Sequence, residues 1–113
     1  MNKQEKAQVN YDSESDILYI SSGEKARESI EVDNYVFDIS SDGNVVGLEV
    51  NNASKFLSDL FSEDVRSVLS NMEASFKMIQ SRELMFVTVV LYLKINGKII
   101  EKNIQAPLPM AAV

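Results

Sequence analysis

The sequence predicts an α+β fold: an antiparallel β-meander of about four to five strands, two helices packed on one face, and a C-terminal β-hairpin. Three observations carry this reading. Apolar and polar residues alternate in short segments between Val9 and Val50, with turn residues between them. From Ala53 to Ile79 the apolar residues change to helical spacing. From Glu83 the period of two returns around an Asn96-Gly97 dipeptide, the preferred pair for a type I′ hairpin turn.

Residues 1–8 are polar and read as a loose lead-in. Tyr11 to Ile20 reads as a hairpin. Its turn is Asp12-Ser13-Glu14-Ser15-Asp16, because short polar side chains bond their own backbone. Ile17 to Ile20 is a β-favouring run. Ile30 and Val32 share one face of the next segment. Asp33-Asn34 supplies a turn, since both residue types tolerate positive φ. Tyr35, Phe37 and Ile39 then share a face, with Asp38 opposite. Asp42-Gly43 is the strongest turn signal in this half. Val46, Leu48 and Val50 resume the alternation, with Gly47 and Glu49 on the other side.

Ala53, Phe56, Leu57, Leu60 and Phe61 fall at helical spacing, which predicts a short helix near 53–60 capped by Asn51 or Asn52. Ser62, followed by Glu63 and Asp64, looks like a second N-cap. Val65, Val68, Leu69, Met72, Phe76 and Ile79 then make a stripe that predicts a longer helix near 63–80. Met72, Met78 and Met85 read as core filler. Beyond it, Met85, Val87, Val89, Leu91, Leu93 and Ile95 alternate with Phe86, Thr88, Val90, Tyr92 and Lys94. A strand apolar on both faces is central in a covered sheet or buried at an interface, so Phe86, Val87, Val89, Leu91 and Leu93 are the candidate interface residues. Ala106-Pro107-Leu108-Pro109 reads as the end of the ladder and the start of a flexible tail over 105–113, since proline lacks the donor.

Composition narrows the chemistry. The 113 residues make one domain on size, with enough chain for a core. Cysteine and histidine are both absent, which removes thiolate nucleophiles, zinc–thiolate sites and the commonest general base near neutrality. Net charge is −6 and uneven: residues 1–64 hold 14 acidic and 5 basic side chains, residues 65–113 hold 3 and 6. An acidic first half speaks against a nucleic-acid footprint. It suits solubility, or a small basic protein partner. The longest apolar run, Leu84 to Leu93, is about half a membrane helix. Together with the polar start this gives a cytoplasmic chain with no membrane partner.

Val9-Asn10-Tyr11-Asp12 and Asp16-Ile17-Leu18-Tyr19-Ile20, followed by Glu28-Ser29-Ile30-Glu31-Val32, Asp42 to Val50 and Asn52-Ala53-Ser54-Lys55, have a specific spacing. With these residues the chain resembles an uncharacterised prokaryotic family, domain of unknown function 2283, over about residues 9–57. The resemblance implies no assigned activity. Some members are encoded beside small toxin-like proteins, which implies an antitoxin-like role. The stretch from 63 to 80 and the tail from Ile104 fall outside the matching core.

Four constellations have two readings each. Asp12-x-Glu14-x-Asp16 starts like a calcium loop. It then places Ile17 where glycine is needed and Gly23 where the bidentate Glu belongs, so a hairpin turn is the better reading. Asp38 and Glu49 are an acid–base pair only if burial raises one pKa; otherwise they are solvated side chains on an open sheet face. Ser29 beside Glu28 has no base of recognisable motif. Lys94, Lys98 and Lys102, near Tyr92, are either a nucleic-acid patch or protection of a strand edge, and the edge reading is favoured. The sequence therefore predicts a non-catalytic protein-interaction module acting as a homodimer, without metal or cofactor. The alternative is a small-ligand-binding protein or carboxylate enzyme built on Asp12, Asp16, Asp38 or Glu49.

Overall fold

The computed structural model describes the backbone of residues 2–81 and 84–109, and the side chains of 6–79 and 86–106. Eight strands form one antiparallel sheet: β1 (Asn2–Asp12), β2 (Ile17–Ser21), β3 (Glu28–Val32), β4 (Tyr35–Ile39), β5 (Val45–Asn51), β6 (Glu73–Ser81), β7 (Leu84–Ile95) and β8 (Lys98–Pro109). One α-helix, α1 (Ala53–Phe61), and a 3-10 turn over Leu69–Asn71 complete the described elements. The strand order is β3-β4-β5-β2-β1-β6-β7-β8.

The front half forms where the alternation lies. The β1–β2 hairpin turns at Asp16, φ 57°, and the β3–β4 hairpin at Asp33, φ 53°. β4 and β5 are joined by a turn in which the Gly43 N–H donates to the Ser40 carbonyl at 3.0 Å. β5 then lies beside β2, so the meander β3-β4-β5 docks onto the hairpin rather than following it. Leu18, Ile20, Phe37, Ile39, Leu48 and Val50 are buried on one face. Val46 is an extra residue between the Asp38–Gly47 and Ile39–Val45 pairs, a β-bulge.

The expected architecture of four to five strands and two helices is overturned from residue 62 onward. Ser62 does not open a helix. It adopts φ 59° and closes α1, its N–H donating to the Asp59 carbonyl while the Glu63 N–H donates to Ser58. Residues 73–81, expected as helix, form β6 between β1 and β7. The stripe of Met72, Phe76 and Ile79 fits both periods. In the strand, Ala74 and Phe76 are buried and Met78 packs on the same core, while Ile79 turns to the other face. From Ala74 to Ile79 the strand is paired on both sides, so its backbone groups find partners in β1 and β7.

Both ends of the described backbone join the sheet. Asn2 to Ala7 pair with β6, with Ala7 in the core, where a loose lead-in was expected. β8 runs on through Pro107, opposite Phe86, to Pro109, opposite Leu84. The expected tail is therefore strand as far as 109, and its last four residues lie outside those described. The core is continuous from Ile30 through α1, Val65 and Leu69 to Ile104.

Candidate interaction surface

The residues of the family-like motif meet at one point. The Asp16 carboxylate accepts from the Tyr11 hydroxyl at 2.6 Å, from the Ser54 backbone N–H at 2.9 Å and from the Ser54 hydroxyl at 2.8 Å. The Asp16 carbonyl also accepts from the Ala53 N–H at 3.0 Å. Asn52 occupies the cap position of α1 in the left-handed region, but its side chain makes no capping bond. A carboxylate far away in sequence thus caps the helix in its place. Burial alone raises the Asp16 carboxyl, but the hydrogen bonds from Tyr11 and Ser54 outweigh it and hold the pKa below the usual carboxylate value. The same bond, with burial, pushes Tyr11 up to about 12.

This arrangement is a clasp between hairpin and helix. The Asp12 side chain accepts from the Glu14 N–H at 3.0 Å and serves its own turn, so Asp12, Glu14 and Asp16 do not converge. Hydrogen bonds from Ser15 and Glu14 lower the Asp12 carboxyl. Among the described residues no group of three or more acidic side chains is placed to hold a metal ion. Beside the clasp lies a cleft of about 440 Å³ lined by Asp16, Asn34, Asn52, Lys55, Phe56 and Asp59.

A second cluster occupies the sheet face away from the core. The Tyr19 hydroxyl donates to one Asp38 carboxylate oxygen at 2.7 Å, and the Ser29 hydroxyl donates to the other at 2.7 Å. Burial, then the Asp38 hydrogen bond, raises the Tyr19 pKa. Glu49 is directly opposite Tyr19 across the β2–β5 pair. Gly47 lies between Asp38 and Ser21, and a Cβ there would stand 2.8 Å from both the Asp38 and Tyr19 oxygens. The sheet brings Asp38 and Glu49 onto one face, as the alternation predicted. It sends Asp16 to the helix instead.

Alternation places Asp12, Glu31, Asp38 and Glu49 on this face, around Tyr19, which is 36% exposed. Residues 8–12, 17–21, 28–32, 35–39 and 45–51, the strand segments of this half, contain no lysine or arginine. Sequence reading placed Asp38 and Glu49 on the open face but did not group Asp12 and Glu31 with them. That needed the register of five strands, and the β2–β5 pairing is not adjacent in the chain.

The residues expected at an interface are placed differently from one another. Val87, Val89, Leu91 and Leu93 are buried in the core of their own chain, whereas Phe86 is 41% exposed on the other face. The three lysines of the last hairpin do not share a face: Lys94 stands with Tyr92, and Lys98 and Lys102 on the opposite side of the ladder. No helix among the described residues is long and apolar enough to cross a membrane.

Residues 8–54 match the family described as a protein of unknown function (DUF2283). The chain is also 34% identical over 102 residues to an uncharacterised protein, MJ0789, of Methanocaldococcus jannaschii, covering 87% of this chain and 83% of that protein. No solved structure matches it significantly.

Proposed function

The chain belongs to the DUF2283 family of proteins of unknown function, and from that premise we propose that it is a small non-catalytic interaction module whose open sheet face receives a basic segment of a protein partner. The observation that carries this reading is the sign of that part of the face: four carboxylates around an exposed tyrosine, with no lysine or arginine in residues 8–12, 17–21, 28–32, 35–39 or 45–51. A single cation about 8 Å from one carboxylate gains only about 0.5 kcal/mol in water. Several arginines or lysines are therefore needed, and binding weakens with salt. Tyr19 gives a guanidinium a face to stack on. An antitoxin-like role is the form this takes when the basic partner is toxic. The module acts as a homodimer, which leaves this face free.

The alternative, a carboxylate enzyme or ligand-binding protein, needs a carboxyl raised by its surroundings. Asp12 and Asp16 are both shifted the other way.

The test is titration of a labelled arginine-rich peptide, followed by fluorescence anisotropy at low salt and at about 0.5 M salt. Wild type binds at low salt, and Glu31→Lys/Glu49→Lys weakens binding at least about tenfold without lowering the melting temperature. Equal binding by the two proteins overturns the reading.

A further inference from the structure

We propose that two copies of the chain join through the free edge of β8, antiparallel, with the two-fold axis at Asn103. The inference rests on the reading of the chain as a dimeric interaction module and names the surface that makes the dimer. β8 ends the strand order, so one side of a twelve-residue strand has no neighbour among the described residues.

The phase of the last hairpin decides which backbone groups face outward. Asn96 at φ 51° and Gly97 at φ 79° form a two-residue turn, which pairs Ile95 with Lys98 by backbone hydrogen bonds. In an antiparallel ladder, bonded and non-bonded pairs alternate. Leu93–Ile100, Leu91–Lys102, Val89–Ile104 and Val87–Ala106 are then the bonded pairs. The backbone groups of Ile99, Glu101, Asn103 and Gln105 point to the open side. Pro107 and Pro109 have the same phase, so their missing N–H groups also lie on the open side. This explains why prolines end the strand without breaking its bonds to β7. It also leaves a bounded row of edge donors, from 99 to 105.

Charge then excludes the registers centred on Glu101 and Lys102, and the amide pair favours the one centred on Asn103. Self-pairing about a two-fold axis keeps opposite residues on one face, so residues opposite each other are both odd or both even. An axis at Glu101 or Lys102 sets like charges directly opposite one another, which is destabilising. An axis at Asn103 opposes two side-chain amides able to bond each other. It sets Glu101 against the partner's Gln105, Lys102 against the partner's Ile104 and Ile100 against the partner's Ala106. No like charges are then opposed. Lys102 acts as a register selector, and the row of donors in the open stretch meets a carbonyl at every position. Ile99, 73% exposed at the start of the strand, falls within the paired length.

The chain has no cysteine, so one introduced thiol reports the geometry. Opposed residues in a bonded pair have Cα atoms about 5.5 Å apart, within disulfide reach. Sedimentation equilibrium of the wild type at tens of micromolar should give a dimer. Asn103→Cys under mild oxidation should give a covalent dimer, and Glu31→Cys, on the front half, should not. Asn103→Pro removes only an edge-facing N–H and should give a monomer; Asn103→Asp, which opposes two carboxylates, should do the same if the proline variant fails to fold. A monomeric wild type, or cross-linking by Glu31→Cys instead of Asn103→Cys, overturns the proposal. Peptide binding on the open face is measured separately: a monomer that binds the peptide sinks the edge dimer alone, and a dimer that ignores it sinks the partner reading alone.

Discussion

Tyr19 and Asp38, on strands that are not neighbours, touch across β5 because the residue between them is Gly47. The 2.7 Å bond passes over a position where any Cβ would stand 2.8 Å from both oxygens. Glycine here is required by close approach and not by backbone conformation. Gly47→Ala should part the two side chains and cost about 1 kcal/mol, the worth of an exposed hydrogen bond plus minor strain. Urea unfolding measures the cost, and the Tyr19 ultraviolet titration should move back towards an ordinary phenol. An unchanged titration would mean that the contact is not formed in solution.

Asp16 holds α1 to the β1–β2 turn. Asp16→Ala leaves the Ser54 N–H and both hydroxyls without their acceptor and places alanine at positive φ. The expected loss is about 3 kcal/mol by chemical unfolding, since charge-assisted bonds and a cap are lost together. Ser54→Ala, which keeps the backbone bond, should cost about 1 kcal/mol.

The same pair gives stability a dependence on pH at both ends. The Asp16 pKa is lower in the folded chain, so its contribution is present above the unfolded value near about pH 4 and is lost as pH falls through the folded one. The Tyr11 pKa is raised to about 12, so its contribution is complete below about pH 10 and disappears between about pH 10 and 12. Melting temperatures of wild type and Tyr11→Phe across pH 8 to about 12 should converge as alkalinity rises. Parallel curves would detach Tyr11 from Asp16.

Val89 is fully buried. Val89→Asp should cost several kcal/mol, as an unpaired charge in an apolar site does, and yield aggregated or unfolded protein. Phe86→Ser, on the opposite and exposed face, should change stability by less than about 1 kcal/mol. Circular dichroism and denaturant titration of the two variants separate the faces.

The front half and the last hairpin were legible because their turns carry residues suited to the backbone: Asp33, Gly43, Asn96 and Gly97 all stand at positive φ where the sequence placed turns. Residues 63–80 were misread because Met72, Phe76 and Ile79 satisfy a period of 3.6 while Ala74, Phe76 and Met78 satisfy a period of two. Only the strands on either side decide between them. Ser62 has the chemistry of an N-cap and the conformation of a C-cap. The acidic residues of the candidate site were visible individually. The common face of Asp38 and Glu49 was legible in the alternation, but the addition of Asp12 to it was not, since that depends on β5 lying beside β2.

β1 has two partners in succession: Asn2 to Ala7 run beside β6, and Gln8 to Asp12 beside β2. During synthesis the second set of partners emerges almost at once, while Ile79, which meets Asn2, follows 77 residues later. Residues 2–7 are thus translated well before β6 and seated late, waiting on a segment far along the chain. A ribosome-bound fragment ending before Glu73 would expose that unfilled flank to any strand that came by.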